Sequence, residues 1–363
     1  MKSSILVITG GTGGHVIPAV NFFNYLETKS DNIFLLTDHR GSKYIKNINK
    51  KNILIINSSH LSGNFFFRLK AIIKLLIGFL QSIRIFIKLK PKTVISFGSY
   101  ASLMPLLCFV FYKIFFKSKL YIHEQNSVVG QTNKIFIKFS NKIFMNFNKE
   151  YKSLDIYKEK ITVVGLPQKP NNDYLNHENK KNYKNFNFLV FAGSQGSLDI
   201  LVIFKKIIDR LKTMPKLKKV KFIVQSPLQK QKEIENLLIE NSYDFEIKNF
   251  YENFDYILKK TDIALCRSGA GTINDLINYK IPAIICPLPS AKDNHQYENA
   301  KVLSNVKCAL IIDKNKINID AIILFINKVL NDKNFNKSLL DNFSKIKTQN
   351  ASKIIWQLIE DDQ

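Results

Sequence analysis

Hydrophobic residues in the first half of the chain form short runs rich in β-branched side chains, and a polar or glycine-containing turn follows each run. Segments with helical spacing of apolar positions lie between the runs. This alternation is typical of strands and helices that form a parallel sheet covered by helices, an α/β fold. The predicted strands are residues 4–9, 33–37, 53–57, 93–97, 120–122 and 140–147, the last of them an edge strand.

The same pattern begins again after a break. Residues 169–187 are rich in Asn, Lys and Pro and show little periodicity, as expected of a linker. A chain of 363 residues suits two domains of ordinary size. The predicted parts are a first domain at 1–165, a linker at 166–187, a second domain at 188–344 and a helix at about 345–363 that packs back on the first domain.

A long helix is predicted over residues 64–90, where cations interrupt an otherwise apolar surface. Its longest uncharged run is about nine residues, whereas a transmembrane helix needs roughly 20. The mixture instead favours an interfacial helix, although a core-facing helix with solvated lysines fits the same pattern. The predicted membrane patch consists of Phe66, Lys70, Lys74, Leu75, Phe79 and Arg84.

The formal net charge of +25 indicates an anionic partner such as a nucleotide or a phospholipid surface. Lysine greatly outnumbers arginine, and Asn, Ile and Phe are abundant, so a compositional bias accounts for part of this charge. No zinc-finger spacing or aromatic RNA-binding signature accompanies the charge, which argues against a nucleic-acid partner.

The four cysteines, Cys108, Cys266, Cys286 and Cys308, lack metal-site spacing. Three fall in or beside apolar runs, which predicts reduced, buried thiols in a cytosolic protein. The N-terminus enters a strand directly, without the charged and apolar regions of a secretory signal.

The first strand is followed by GGTGGH, residues 10–15, and then by a helical segment. Glycines before a helix N-terminus suit a phosphate group, but the string is neither GxGxxG nor a Walker sequence. His15 stands at the helix entrance, where it is either a functional group or a residue hydrogen-bonded to the backbone.

Residues 264–300 predict two successive strand–helix units whose loops share one edge of a sheet. The first loop offers Gly269 and Gly271 for close backbone approach, with Thr272 as a helix cap. Asp275, about one turn into the helix, is placed to accept hydrogen bonds from ribose hydroxyls. The alternative is a tight turn followed by a solvated acid.

Five short motifs together are highly specific for one protein family. They are GGTGGH, HEQN at residues 123–126, GSQG at 193–196, CRSGA at 266–270 and QYENA at 296–300. They resemble the undecaprenyldiphospho-muramoylpentapeptide β-N-acetylglucosaminyltransferase family over nearly the whole chain. The resemblance implies the GT-B fold, two Rossmann-like domains facing each other across a cleft. It also implies inverting transfer of N-acetylglucosamine from UDP-N-acetylglucosamine to the C4 hydroxyl of a lipid-linked muramoyl-pentapeptide.

Residue roles carry over from the same resemblance. His15 is the candidate general base and Glu124 the alternative. The acceptor side comprises Gly11, His15, Tyr100 and His123. The expected UDP-N-acetylglucosamine contacts are Thr12, Gly13, Gly14, Asn126, Lys169, Ser194, Tyr251 (through its backbone), Ala270, Gly271, Thr272, Ile273, Asn274, Asp275 and Gln296.

The family's usual residues are replaced at three places. This chain has Lys169 where the family has an arginine shortly after the glycine at 165, Asp275 where the family has a glutamate, and Ser99 where the family has a glycine before Tyr100. Lysine is a point charge where arginine binds through two parallel hydrogen bonds, so these changes bear on affinity and geometry more than on the reaction.

The resemblance also implies the partners and the location. No Asp-x-Asp metal signature is present, so neither a metal nor a cofactor is expected and UDP-N-acetylglucosamine is a substrate. The expected place is the cytoplasmic face of the bacterial cell membrane, as a peripheral protein on an anionic surface. Other cell-wall synthesis proteins are allowed as partners.

Two functions from other classes fit part of the pattern. A UDP-sugar epimerase would share the nucleotide half but would not be expected to carry an apolar, basic first domain. A noncatalytic nucleotide-binding or membrane-adaptor protein would keep the glycine loops without turnover. Formation of a disaccharide from UDP-N-acetylglucosamine and a lipid-linked acceptor discriminates among the three.

Overall fold

The apolar runs form two parallel sheets, seen in a computed structural model that describes residues 4–45, 48–60, 64–169, 186–192, 198–212 and 220–362. One unit comprises Met1–Pro170 together with Gln349–Gln363, and the other comprises Asn171–Thr348. Residues 170–185, which include most of the predicted linker, lie outside the described residues.

The first unit contains a seven-stranded sheet with the order β3-β2-β1-β4-β5-β6-β7. Its strands are β1 (Ile5–Ile8), β2 (Ile33–Asp38), β3 (Ile53–Ile56), β4 (Thr93–Ser96), β5 (Lys119–Glu124), β6 (Lys142–Met145) and β7 (Ile161–Val163). Its α-helices are α1 (Gly13–Glu27), α2 (Phe65–Leu89), α3 (Leu103–Phe115), α4 (Gln131–Phe136) and, from the end of the chain, α12 (Ala351–Glu360).

The second unit contains a six-stranded sheet with the order β10-β9-β8-β11-β12-β13. Its strands are β8 (Phe186–Val190), β9 (Val220–Gln225), β10 (Asp244–Lys248), β11 (Ile263–Cys266), β12 (Ala283–Ile285) and β13 (Ala309–Ile311). Its helices are α5 (Leu198–Leu211), α6 (Leu228–Glu240), α7 (Phe254–Lys260), α8 (Ala270–Asn278), α9 (His295–Ser304), α10 (Ile319–Asn331) and α11 (Lys333–Ser344).

Strand order reverses at one place in each sheet, between β1 and β4 and between β8 and β11. The chain therefore leaves these neighbouring strands in opposite directions, which opens a crevice at their carboxyl ends where ligands bind in such folds. Both units have the Rossmann-like arrangement, and the predicted GT-B fold class is confirmed.

Both faces of the first sheet are covered, which explains why its strands are almost continuously apolar. Leu6 and Ile8 of β1 point to the cluster formed with α2 and α3. Ile5 and Val7 point to the opposite cluster, formed with α1 and α12. Successive side chains of a strand alternate between faces, so each face receives every second residue.

The predicted edge strand was wrong. Residues 140–147 contain β6, which has β5 on one side and β7 on the other, so the described edge is β7. The edge strand β7 has only three residues, which carry too little pattern to predict pairing.

The predicted long helix is confirmed as α2, but one member of the predicted membrane patch is not on its surface. Leu75 is only 6% exposed and belongs to the core. Phe79 is half-buried and packs edge-on against Phe111 of α3, with ring centroids 6.5 Å apart. Gly78 faces the end of β3 so closely that a β-carbon would collide with the carbonyl oxygen of Asn57.

The other side of α2 is exposed. Phe66 is 78% exposed, and Lys70, Lys74 and Arg84 also face solvent. Further exposed apolar residues of this side are Phe65, Phe67, Leu69, Ile72, Ile73, Leu76, Ile77 and Leu80. Among the helices that the structure describes, none combines the length and the hydropathy that crossing a bilayer requires.

The last helix, α12, packs on α1 within the first unit. Ile355 and Ile359, four residues apart on one face, are fully buried against Phe22 and its neighbours. Beyond the helix, the Tyr121 hydroxyl donates to the Asp362 carboxylate at 2.6 Å. Burial and this carboxylate both raise the pKa of Tyr121, so the phenol stays a donor.

We expect Ile355→Ala to destabilise the first unit by about 2–5 kcal/mol, because it leaves a cavity between α12 and α1. Trp356, the only tryptophan of the chain, lies beside this cluster and reports its unfolding by fluorescence in urea. Gln357→Ala, an exposed position of the same helix, is the matched control and should change stability by at most about 0.5 kcal/mol. Equal midpoints for the two variants would contradict this packing.

Candidate functional site

The loop between β1 and α1 is held by a carboxylate from the next strand. Asp38 Oδ1 accepts hydrogen bonds from the backbone N–H groups of Gly11 and Gly41, both at 2.8 Å. A β-carbon at Gly10 would collide with Ala101, and Gly11 has a φ of +76°. Small residues are therefore required here, and α1 begins at Gly13 with no acidic side chain in its first turn.

His15 lies in the first turn of α1 and is partly exposed. Its Nδ1 atom is 2.9 Å from the carbonyl oxygen of Phe97, beyond β4, and 2.9 Å from Oε1 of Gln125, beyond β5. One ring nitrogen thus joins the carboxyl-end loops of three strands. No partner for Nε2 is found within the described part of the chain.

The HEQN string lies at the carboxyl end of β5. His123 is fully buried and its ring stacks on Phe97, with centroids 5.0 Å apart. Its Nε2 donates to the carbonyl oxygen of Gly165 at 2.9 Å, and its Nδ1 lies 3.2 Å from Nε2 of Gln125. Burial lowers the pKa of His123 to about 4, so the ring is neutral near pH 7.

Glu124 points away from His15 and is also buried. Its Oε1 accepts from the backbone and side-chain amides of Asn126, at 3.0 and 3.4 Å. Its Oε2 accepts from the Gly130 N–H and from Asn133 Nδ2, both at 2.8 Å. A carboxylate with four donors organises the 126–133 loop and is poorly placed to take a proton from a substrate.

Ser99, where the resemblance predicts a glycine, has a backbone conformation that suits glycine better. Its backbone angles, φ 81° and ψ 165°, fall in a region that residues other than glycine rarely adopt. The Ser99 hydroxyl accepts a hydrogen bond from the Ala101 N–H at 3.1 Å, which partly offsets the strain. Tyr100 follows at the carboxyl edge of β4, with its ring 4.1 Å from that of His60.

In the second unit, Arg267 directly follows β11 and is 5% exposed. Its Nη1 atom donates to the carbonyl oxygens of Cys286 and Pro287, and its Nη2 atom donates to Asp199 of α5 at 2.9 Å. Although partial burial opposes ionisation, hydrogen bonding to Arg267 and the charge of Lys314 hold the pKa of Asp199 below its usual value. Arg267 therefore fixes the loops after β11 and β12.

The helix α8 begins at Ala270, directly after the β11 loop, so the predicted cap at Thr272 was wrong. Gly269 precedes the helix and has no side chain with which to cap it. The first-turn N–H groups are therefore available to an anion. A β-carbon at Gly271 would meet no described atom within 4 Å, so this turn borders open space.

The remaining predicted contacts of α8 lie along the helix. Asn274 donates to the Ala270 carbonyl at 2.9 Å, and Ile273 is buried in the core. Asp275 is half-buried, five residues beyond the helix start, and its negative charge contributes to the raised pKa of Cys266, of which burial is the main cause.

Gln296 and Asn299 of α9 brace the neighbouring loops. Gln296 Oε1 accepts from the Leu288 N–H at 2.9 Å, beyond β12, and Asn299 donates to the Ser268 carbonyl at 3.0 Å. Tyr251 follows β10 with its side chain buried and its hydroxyl 3.1 Å from the Glu246 carbonyl oxygen, so only its backbone is available to a ligand.

The predicted contacts that fall on described residues each have a position within their own unit. Gly11, Thr12, Gly13, Gly14, His15, Tyr100, His123 and Asn126 lie at the carboxyl edge of the first sheet. Lys169 is exposed at the end of the described segment, and Ser194 lies outside the described residues.

Sequence reasoning did not assign roles to Asp38, Gln125, Asp199 or Arg267. Asp38 and Arg267 stand at strand ends, and Gln125 is inside a string that had been singled out, so position alone could have marked these three. Nothing in the sequence links Asp199 to Arg267. All four cysteines are free and buried, as predicted.

Both halves of the chain match domains of one glycosyltransferase family. Residues 5–145 match the glycosyltransferase family 28 N-terminal domain, and residues 187–357 match the glycosyltransferase family 28 C-terminal domain. These ranges fall on the two sheets described above.

Relatives of known name match over most of the chain. Proteins of Rickettsia canadensis (34% identity, 86% of each chain) and Rickettsia bellii (30% identity, 98% of this chain and 99% of the relative) are both named UDP-N-acetylglucosamine–N-acetylmuramyl-(pentapeptide) pyrophosphoryl-undecaprenol N-acetylglucosamine transferase. The crystal structure of Acinetobacter baumannii MurG has the same fold, with a TM-score of 0.79 over 99% of both chains at 22% identity. This chain belongs to that family of UDP-N-acetylglucosamine–N-acetylmuramyl-(pentapeptide) pyrophosphoryl-undecaprenol N-acetylglucosamine transferases.

Proposed function

We propose that this protein transfers N-acetylglucosamine from UDP-N-acetylglucosamine to the C4 hydroxyl of a lipid-linked muramoyl-pentapeptide. The full-length relationship to transferases of that name supports the substrates. The observation that carries the chemistry is His15, whose Nδ1 is anchored to two acceptors while Nε2 has no partner among the described residues.

In the proposed reaction, His15 Nε2 takes the proton of the C4 hydroxyl as its oxygen bonds to C1 of the donor sugar. The bond from C1 to the diphosphate oxygen breaks on the opposite face, so the anomeric centre is inverted and UDP leaves. Glu124 is the weaker candidate for the base, because four hydrogen bonds already occupy its oxygens.

The second unit is proposed to bind the nucleotide. The open first turn of α8 supplies N–H groups and the positive end of a helix dipole, which stabilise the charge on the leaving diphosphate. Asp275 binds the ribose hydroxyls, the Tyr251 backbone contacts uracil, and Gln296 contacts the sugar. Since these groups can stabilise the leaving group, we include no metal or cofactor in the proposal.

The first unit is proposed to bind an anionic membrane, which holds the polyprenyl tail of the acceptor. Exposed aromatic and aliphatic residues of α2 lie among Lys70, Lys74 and Arg84, and Phe115 at the end of α3 is 80% exposed. Apolar burial combined with cations suits peripheral binding. The protein would then work at the cytoplasmic face of the cell membrane.

A cavity next to the end of α3 adds further cations. It has a volume of about 630 Å³ and is lined by Lys113, Lys138 and Lys160 together with apolar Val110 and Ile114. Burial and the neighbouring positive charge of Lys160 lower the pKa of Lys113. Anionic lipid headgroups bound here would reduce the repulsion between these lysines.

Turnover tests the reaction directly. The protein, UDP-N-acetylglucosamine and a polyprenyl-linked muramoyl-pentapeptide should yield a β-linked disaccharide at the same rate with EDTA or with Mg²⁺. His15→Ala should lower kcat by roughly 10²-fold while donor affinity is retained. His39→Ala, an exposed histidine near the same sheet edge, is the control. Near-normal kcat in His15→Ala would exclude His15 as the base.

Asp275→Ala should weaken UDP-N-acetylglucosamine binding by about 1–3 kcal/mol, because the ribose hydroxyls lose their acceptor. Isothermal calorimetry measures the change, with Asp341→Ala on exposed α11 as a control of equal charge. If a folded Asp275→Ala protein bound the nucleotide normally, Asp275 would have no part in the site.

Replacing Lys70, Lys74 and Arg84 by Gln should reduce co-sedimentation with anionic vesicles, because each cation near such a surface contributes about 1 kcal/mol. Added salt should have the same effect on the unmodified protein. Replacing Lys333, Lys337 and Lys347, all exposed in the second unit, changes the net charge equally and should leave binding intact. Equal sedimentation with neutral and anionic vesicles would rule out the electrostatic part of the proposal.

A further inference from the structure

His15 is the last member of a chain of hydrogen bonds whose direction can be read from its fixed ends. At the far end, the Gly165 carbonyl oxygen can only accept, so His123 Nε2 must carry a proton. His123 is buried and neutral, and its Nδ1 is therefore the lone-pair acceptor. The tautomer of His123 is thus determined by the backbone beyond β7.

The next link is the side-chain amide of Gln125. Its Nε2 lies 3.2 Å from His123 Nδ1 and 3.1 Å from the His123 carbonyl oxygen, and both of these atoms are acceptors. The amide nitrogen must therefore face His123, which turns Oε1 towards His15. The Gln125 backbone is fixed as well, since its carbonyl accepts from Asn146 at 2.8 Å.

The final link is His15 Nδ1, which faces two acceptors at once, Oε1 of Gln125 and the Phe97 carbonyl oxygen. Two acceptors require a donor between them, so the neutral ring of His15 has its proton on Nδ1. The lone pair is then on Nε2, the atom that has no partner among the described residues.

We propose that Gln125 and His123 are positioning residues that hold His15 in the tautomer whose Nε2 is basic. The role rests on the proposed transfer reaction, in which Nε2 accepts the proton of the sugar hydroxyl. Neither residue needs to touch the substrate. They act as the buried acid of a catalytic triad does, by fixing the orientation and the protonated nitrogen of the base.

The HEQN string has the alternation that this arrangement needs. Successive side chains at a strand end point to opposite faces, so His123 and Gln125 face His15 together while Glu124 faces the 126–133 loop. The string thus combines a relay of hydrogen bonds on one side with a loop anchor on the other.

Nitrogen-15 NMR of the histidine-labelled full chain tests the relay without substrate. We expect His15 to carry its proton on Nδ1 and His123 on Nε2, with signals assigned from His15→Gln and His123→Asn. A wild-type His15 protonated on Nε2 would overturn the proposal, whether or not any variant folds. Because no turnover is involved, an inactive wild-type protein with these tautomers would count against the proposed reaction alone.

Gln125→Met removes the amide at similar length. We expect the His15 signal to move towards a mixture of tautomers and kcat to fall roughly 10- to 100-fold, with donor affinity unchanged, as for other outer partners of a functional histidine. Gln81→Met removes a hydrogen-bonded amide elsewhere in the first unit and is the matched control. A Gln125→Met protein with the wild-type tautomer and kcat would overturn the role of Gln125.

Discussion

One contact in the first unit connects the two loops at the point where the strand order reverses, the approach of His15 Nδ1 to the Phe97 carbonyl oxygen. β1 and β4 are neighbours in the sheet, yet the chain leaves them towards opposite faces. The loops after these strands pack closely. A β-carbon at Gly10 would collide with Ala101, and Ser99 has a strained, positive φ. The His15 side chain connects the two loops, and its hydrogen bond to Phe97 fixes its orientation.

The second unit reaches a comparable result with an ion pair between the buried Arg267 and the partly exposed Asp199. Removing a guanidinium from water is costly, and the hydrogen bonds that Arg267 donates to two carbonyl oxygens and to Asp199 offset part of that cost. The same contacts tie the loop after β12 and the start of α5 to the end of β11.

Polar residues near the two crevices fall into groups that differ in what they contact. Asp38, Glu124 and Asn299 bond to backbone groups and shape loops. His15 and Asp275 keep part of their surface exposed. The family motifs therefore include residues that shape loops as well as residues with exposed surface, and the hydrogen-bond partners distinguish the two kinds.

The sequence alone predicted the alternation of strands and helices in two α/β halves, because apolar periodicity and glycine position follow from local geometry. It did not predict the short edge strands β7 and β13. It placed α2 correctly but could not tell that Leu75 faces the core while Phe66 faces solvent, since both sides of the helix are apolar and only packing against α3 distinguishes them. Likewise the HEQN motif predicted a functional site. Only the contacts with neighbouring loops show that His123 and Gln125 face one side and Glu124 the other. Contacts between residues far apart in the chain, such as Gly165 with His123 or Asp199 with Arg267, leave no mark on local pattern, and the tertiary structure alone decided them.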